Sequence, residues 1–130
     1  MVCFEMKKIS IITATYNSLS EIENTYKSIL LQSYNNWEWL VTDDCSTDST
    51  FELLNDLQSK DSRIRVFRNN VNSGAAVSRN NSLSYAQSEY IAFIDSDDIW
   101  QPNKLEKQLA FMGSDIDFSF TAYDLIDEEG

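Results

Sequence analysis

Short apolar runs alternate with stretches of helical periodicity along the chain. Ile9 to Tyr16 reads as a strand, and Ile22, Tyr26, Ile29 and Leu30 then recur at helical spacing behind Ser18 or Ser20, either of which is placed to cap that helix. The order repeats: Trp37 to Thr42 is a second strand, and Phe51, Leu53, Leu54 and Leu57 mark a second helix after the polar run Asp43 to Ser49. Ile64 to Phe67 is a third strand, the loop Asn69 to Gly74 turns the chain, and a third helix runs from Ala75 to about Gln87. Tyr90 to Ile94 is a fourth strand. Pro102 suits the first turn of a following helix through Phe111, because its missing N–H costs nothing there. A last strand is expected from Phe118 to Tyr123.

Strands alternating with helices of this length predict right-handed crossovers and an α/β fold: a mostly parallel sheet with helices on both faces. Ligands in such sheets bind at the carboxyl ends of the strands. The polar clusters fall there. Tyr16 and Asn17 follow the first strand, Asp43 and Asp44 the second, Asn69 to Gly74 the third, and Asp95, Asp97 and Asp98 the fourth.

With 130 residues, a single proline and three glycines, the chain reads as one domain, residues 1–130, with no linker. No run approaches the roughly 20 apolar residues of a membrane-spanning helix, and no signal-peptide core is present at the start, so a cytoplasmic location is expected. The net charge of -11 argues against nucleic acid, whose phosphates need a basic patch. It leaves room for a phosphate ligand held by a metal, a helix N-terminus or one arginine. There is no histidine, so zinc chemistry is disfavoured and proton transfer would fall to Asp or Glu. Cys3 and Cys45 make no metal-ligand pattern and are read as reduced thiols.

The densest chemistry lies at Asp95-Ser96-Asp97-Asp98, three carboxylates within four residues. Such neighbours repel unless a cation or proton offsets them. Asp95 and Asp97, one residue apart, point the same way on an extended segment and can share Mg2+ or Mn2+ together with a diphosphate. The alternative is a solvated acidic turn that caps the next helix, and Asp98 is read as such a structural cap. Asp43 or Asp44 could accept a hydrogen bond from a nucleobase or ribose, or cap a helix. Arg79, among small residues in the third helix, could reach the rim to meet a phosphate or pair with the aspartates. Tyr16 could stack on a base, although core packing is the expectation; Trp37, Trp39 and Trp100 are assigned to the core.

Thr13 to Asn17 (TATYN), Val41 to Asp48 (VTDDCSTD), Asn72 to Asn80 (NSGAAVSRN) and Phe93 to Pro102 (FIDSDDIWQP), taken in order, resemble the inverting family 2 glycosyltransferases from about Ile9 to Tyr123. The resemblance implies the GT-A fold, a Rossmann-like sheet, and in particular its nucleotide-sugar-binding part. By that similarity Ala14, Thr15 and Tyr16 line a nucleobase and ribose pocket, Asp44 contacts a uracil-type base, and Arg79 lies near the diphosphate. Asn17, Asp43 and Ser96 complete the implied donor-binding set. Asp95-Ser96-Asp97 resembles the family's D-x-D element, with Asp95 and Asp97 as metal ligands and Asp97 the direct one.

The implied reaction moves a sugar from a nucleoside-diphosphate donor to a hydroxyl on a saccharide or lipid-linked saccharide acceptor. Ala14 stands where the family often has Pro, and Cys45 where Gly is common. Family members run to about twice this length, and their base lies well beyond the D-x-D. The base is therefore expected past Gly130, the chain is expected to be a truncated donor-binding fragment, and Asp124, Asp127, Glu128 and Glu129 are poor candidates for that role. Peripheral membrane association and homo-oligomerisation are further expectations. Two rivals stand beside this reading: a non-catalytic nucleotide-binding or docking module, and a haloacid-dehalogenase-like phosphatase. The phosphatase is disfavoured because its aspartates follow the first strand, whereas three strand–helix units precede Asp95 here.

Overall fold

The computed structural model describes residues 7–112, and the strand expected over Phe118 to Tyr123 lies outside them. Eight elements alternate in chain order: β1 (Ile9–Thr15), α1 (Ile22–Leu30), β2 (Trp37–Asp43), α2 (Thr50–Lys60), β3 (Ile64–Arg68), α3 (Ala75–Ser84), β4 (Tyr90–Phe93) and α4 (Lys104–Met112). The four strands form one parallel sheet in the order β3-β2-β1-β4. This is the doubly wound pattern predicted from the alternation, with its point of reversal between β1 and β4, where such sheets bind ligands.

Pairing of Ile9 with Trp37 and of Ile11 with Trp39 puts their side chains on one face. There they join Ile22 and Ile29 of α1, Leu54 and Leu57 of α2, and Trp100 and Leu105 in one buried cluster. The three tryptophans are all core residues, as expected. Trp39 donates its indole N–H to the Thr13 hydroxyl at 2.8 Å, and Thr13 donates onward to the Ile94 carbonyl at 2.8 Å. Burying the indole therefore leaves no orphaned donor, and the core is wired to the residue just before the acidic turn.

The opposite face is closed by α3 through hydroxyls. Ser78 and Ser82 are fully buried, and Ser82 lies 2.7 Å from the Thr42 hydroxyl on β2. Asn81 donates to the same Thr42 oxygen at 3.1 Å. The small side chains of α3 let it approach the strands near enough for these bonds.

Four local expectations are corrected. Neither Ser18 nor Ser20 caps α1 with its side chain: Glu21 is the N-cap, while the Ser18 backbone carbonyl accepts from Glu21 and Ile22. The Ser18 hydroxyl is engaged instead with the Tyr16 carbonyl and Ser96. Asp98 caps nothing, because Trp100 must first be buried and α4 begins only at Lys104. Pro102 accordingly precedes α4, and its carbonyl accepts from Ser33 N–H at 2.7 Å. Tyr16 is not core but 47% exposed, since β1 ends at Thr15 and the positive φ of 48° at Asn17 turns the chain off the sheet.

Ile11 is fully buried between β2 and β4, so removing its branched chain leaves a void that its neighbours cannot fill. Ile11→Ala should lower unfolding free energy by about 2–5 kcal/mol in urea titrations, with little change in slope.

Candidate donor and metal site

Ala14, Ser18, Glu21, Arg79, Asp95, Ser96 and Asp97 line one open cleft of ≈ 340 Å³ at the carboxyl ends of β1 and β4. Five of them were named from sequence. Ser18 and Glu21 were not assigned to the site, and nothing in their spacing separates them from ordinary residues of a helix start. Parallel pairing brings the parts together: β4 lies directly beside β1, so the turn after Phe93 opens opposite the turn after Thr15.

Oxygen atoms of Asp95, Asp97 and Asp98 can all lie within 4.8 Å of one another. An all-oxygen set of this kind fits a hard divalent cation. The turn is internally bonded, Asp98 N–H donating to the Asp95 carbonyl at 3.1 Å. Burial, and then the charges of Asp95 and Asp97, push the Asp98 carboxyl above its ordinary value. The smaller part of this shift is the mutual repulsion of neighbouring acids. Arg79 reaches them from α3, its guanidinium donating to Asp95 at 3.2 Å. Both groups are solvent-exposed, so this pair sets geometry more than stability.

Asp44 is 4% exposed and faces the start of α3. Its Oδ1 accepts from Asn69 Nδ2 at 2.9 Å and Ser73 N–H at 2.7 Å, and its Oδ2 accepts from Gly74 N–H at 2.8 Å. The Ser78 hydroxyl also bears on this carboxylate, so its roughly four acceptor positions are largely filled from within the protein. Gly74 sits at φ 96°, a conformation that strains any residue with a β-carbon, although the space around it is open. Burial acts to raise the Asp44 pKa, but the bonds from Asn69, Ser73 and Gly74 outweigh it and hold the carboxyl below its usual value.

The remaining sequence candidates flank the cleft without lining it. Asp43 is fully buried and accepts from Ser46 N–H at 2.9 Å, with Arg68 at 3.5 Å. Its carboxylate is spent inside the protein. Asn17 accepts from Thr47 N–H at 2.8 Å and Asp48 N–H at 3.3 Å, clamping the loop after β1 to the loop after β2. Thr15 is 2% exposed, and its hydroxyl has no hydrogen-bond partner among the described residues. Cys45 adopts φ 62°, the left-handed conformation that a glycine would occupy without strain.

Because the folded pKa of Asp44 is depressed, its stabilising contribution is complete above the unfolded value of about 3.9 and is lost as pH falls through the folded value. Denaturant unfolding across a pH series should therefore show wild type exceeding Asp44→Asn by most near neutrality, with the gap narrowing in acid.

Comparison with known proteins accords with this architecture. Residues 10–130 match the family described as Glycosyl transferase family 2. TuaG of Bacillus subtilis (strain 168), a glycosyltransferase provisionally named for teichuronic acid biosynthesis, is 49% identical over 123 residues, which is 94% of this chain and 49% of TuaG. The Escherichia coli UDP-Glc:alpha-D-GlcNAc-diphosphoundecaprenol beta-1,3-glucosyltransferase WfgD is 45% identical over 120 residues, 91% of this chain and 46% of WfgD. The chain thus spans about half the length of these curated relatives. Among solved structures, S. aureus TarS 1-349 in complex with UDP-GlcNAc superposes with a TM-score of 0.75 at 34% identity, over 81% of this chain and 31% of that one. The mannosyltransferase PcManGT from Pyrobaculum calidifontis shares the fold, with a TM-score of 0.78 at 22% identity over 85% of this chain and 34% of that one. The four motifs, the β3-β2-β1-β4 sheet and the family match agree, and the chain belongs to glycosyl transferase family 2, with the GT-A fold.

Proposed function

We propose that this chain is the donor-binding domain of an inverting, metal-dependent glycosyltransferase. The donor is a UDP-type nucleotide sugar and the acceptor a hydroxyl on a saccharide or lipid-linked saccharide. One observation carries the reading: three aspartates gathered within 4.8 Å, one of them bonded to an arginine, stand at a cleft at the strand ends. The UDP-GlcNAc bound to TarS and the UDP-Glc in the name of WfgD support the donor class. The diphosphoundecaprenol in the name of WfgD supports a lipid-linked acceptor, met by peripheral association on the cytoplasmic side of a membrane. Among the described residues no helix is long and apolar enough to cross a membrane.

Asp95 and Asp97 are the residues that would hold Mg2+ or Mn2+. When bound, the cation supplies Lewis-acid stabilisation to the diphosphate leaving group. Arg79 adds positive charge on the same side, as a fork of donors suited to phosphate oxygens. Ala14, Thr15 and Tyr16 receive the nucleoside, with the exposed Tyr16 ring free to stack and Asp44 on the side of the base. Asn17 and Asp43 shape this pocket from behind, by holding the loops after β1 and β2. Ser96 orients the turn through Ser18. The acceptor hydroxyl loses its proton to a carboxylate other than these.

Titration calorimetry with UDP in the presence and absence of Mn2+ tests the reading. Binding should strengthen with Mn2+, and Asp97→Asn should erase at least about tenfold of that gain. Failure to bind any nucleoside diphosphate would favour a docking module instead.

A further inference from the structure

We propose that a polar stripe on α1, centred on the Thr25 hydroxyl, is the brace that sets the shape of the acidic turn, making Thr25 a positioning residue for the metal ligands. The inference rests on the metal reading of Asp95 and Asp97 for its functional meaning, though not for its structural content.

Ser18, Thr25 and Gln32 are spaced seven residues apart, two helical turns, so they follow one face of α1 and its flanks. All three are buried, and each reaches the segment that carries the acids. The Ser18 hydroxyl lies 2.9 Å from the Ser96 hydroxyl. Thr25 Oγ1 is 3.0 Å from the Ser96 carbonyl and 2.7 Å from the Asp98 carbonyl. Gln32 donates to the Gln101 carbonyl at 2.7 Å and accepts from Leu105 N–H at 3.1 Å. The stripe thus follows the chain from the acidic turn to the first turn of α4.

Thr25 is the decisive member because its one proton is shared between two carbonyls that bracket Asp97. Those carbonyls lie in the peptide planes before Asp97 and after Asp98, so holding both fixes the two ends of the backbone stretch that aims these side chains. Thr25 is fully buried, so water does not replace its hydroxyl freely. The charges of Asp95, Asp97 and Asp98 push the turn open, and the brace opposes them from behind without adding a charge.

Thr25→Val keeps the shape and removes the proton; Thr25→Ser keeps the proton. Two readouts separate the brace from the metal reading: Mn2+ affinity, from the electron paramagnetic resonance signal of the free ion, and hydrogen exchange at the Asp98 amide, which donates within the turn. Thr25→Val should weaken Mn2+ binding about tenfold and speed Asp98 exchange, with metal-free UDP binding unchanged and Thr25→Ser close to wild type. Unchanged Asp98 exchange and Mn2+ affinity in Thr25→Val would overturn the inference. Equal losses of metal and metal-free UDP binding that Thr25→Ser fails to restore would also overturn it. If wild type binds no Mn2+, the metal reading falls, and Asp98 exchange alone then decides for or against the brace.

Discussion

Donors from Asn69, Ser73 and Gly74 meet on the buried carboxylate of Asp44, and this meeting ties the end of β2 to the start of α3. An anion at a helix N-terminus is favoured by the helix dipole and by the unpaired N–H groups of the first turn. Here it does more than end a helix. It fixes where α3 begins, hence where Arg79 emerges, one and a half turns later, beside Asp95. The cleft has its far wall because a residue two strands away from the acidic turn holds the intervening helix in place.

The near wall has a different origin. β1 delivers Ala14 and Ser18, the pairing of β1 with β4 delivers the aspartates, and α1 underlies both. The Trp39, Thr13 and Ile94 relay joins this wall to the core, so the residue preceding Asp95 is anchored by a hydrogen bond as well as by strand pairing. Charge repulsion is thereby confined to a few residues whose backbone has little freedom to relax.

How much of this was legible in the sequence depends on whether periodicity or tertiary context decides. The eight described elements were readable because apolar spacing of two or nearly four dictates them, and their boundaries came within a few residues. Arg79, Asp95 and Asp97 were legible as a group because parallel strands send every following loop to one rim. The caps were not. Ser18, Ser20 and Asp98 are all good cap residues, yet the Ser18 hydroxyl is claimed by Ser96, a residue 78 positions away, and burial of Trp100 postpones α4. Tyr16 was misjudged because aromatic rings favour cores on average, whereas the turn at Asn17 leaves this one outside. Thr25, Gln32 and Glu21 carried no signal, since a polar residue within an amphipathic helix looks like solvent-facing surface until the segment packed on it is known.

The seam beneath α3 has a mechanical consequence. Helices seated through interlocking aliphatic chains can slide by small rotamer adjustments, because dispersion contacts tolerate many arrangements. A helix seated through Ser82 and Asn81 on Thr42 cannot translate without rupturing directional bonds. Adjustment of this wall of the cleft therefore falls to the long, half-exposed arm of Arg79 and leaves the scaffold beneath it stationary.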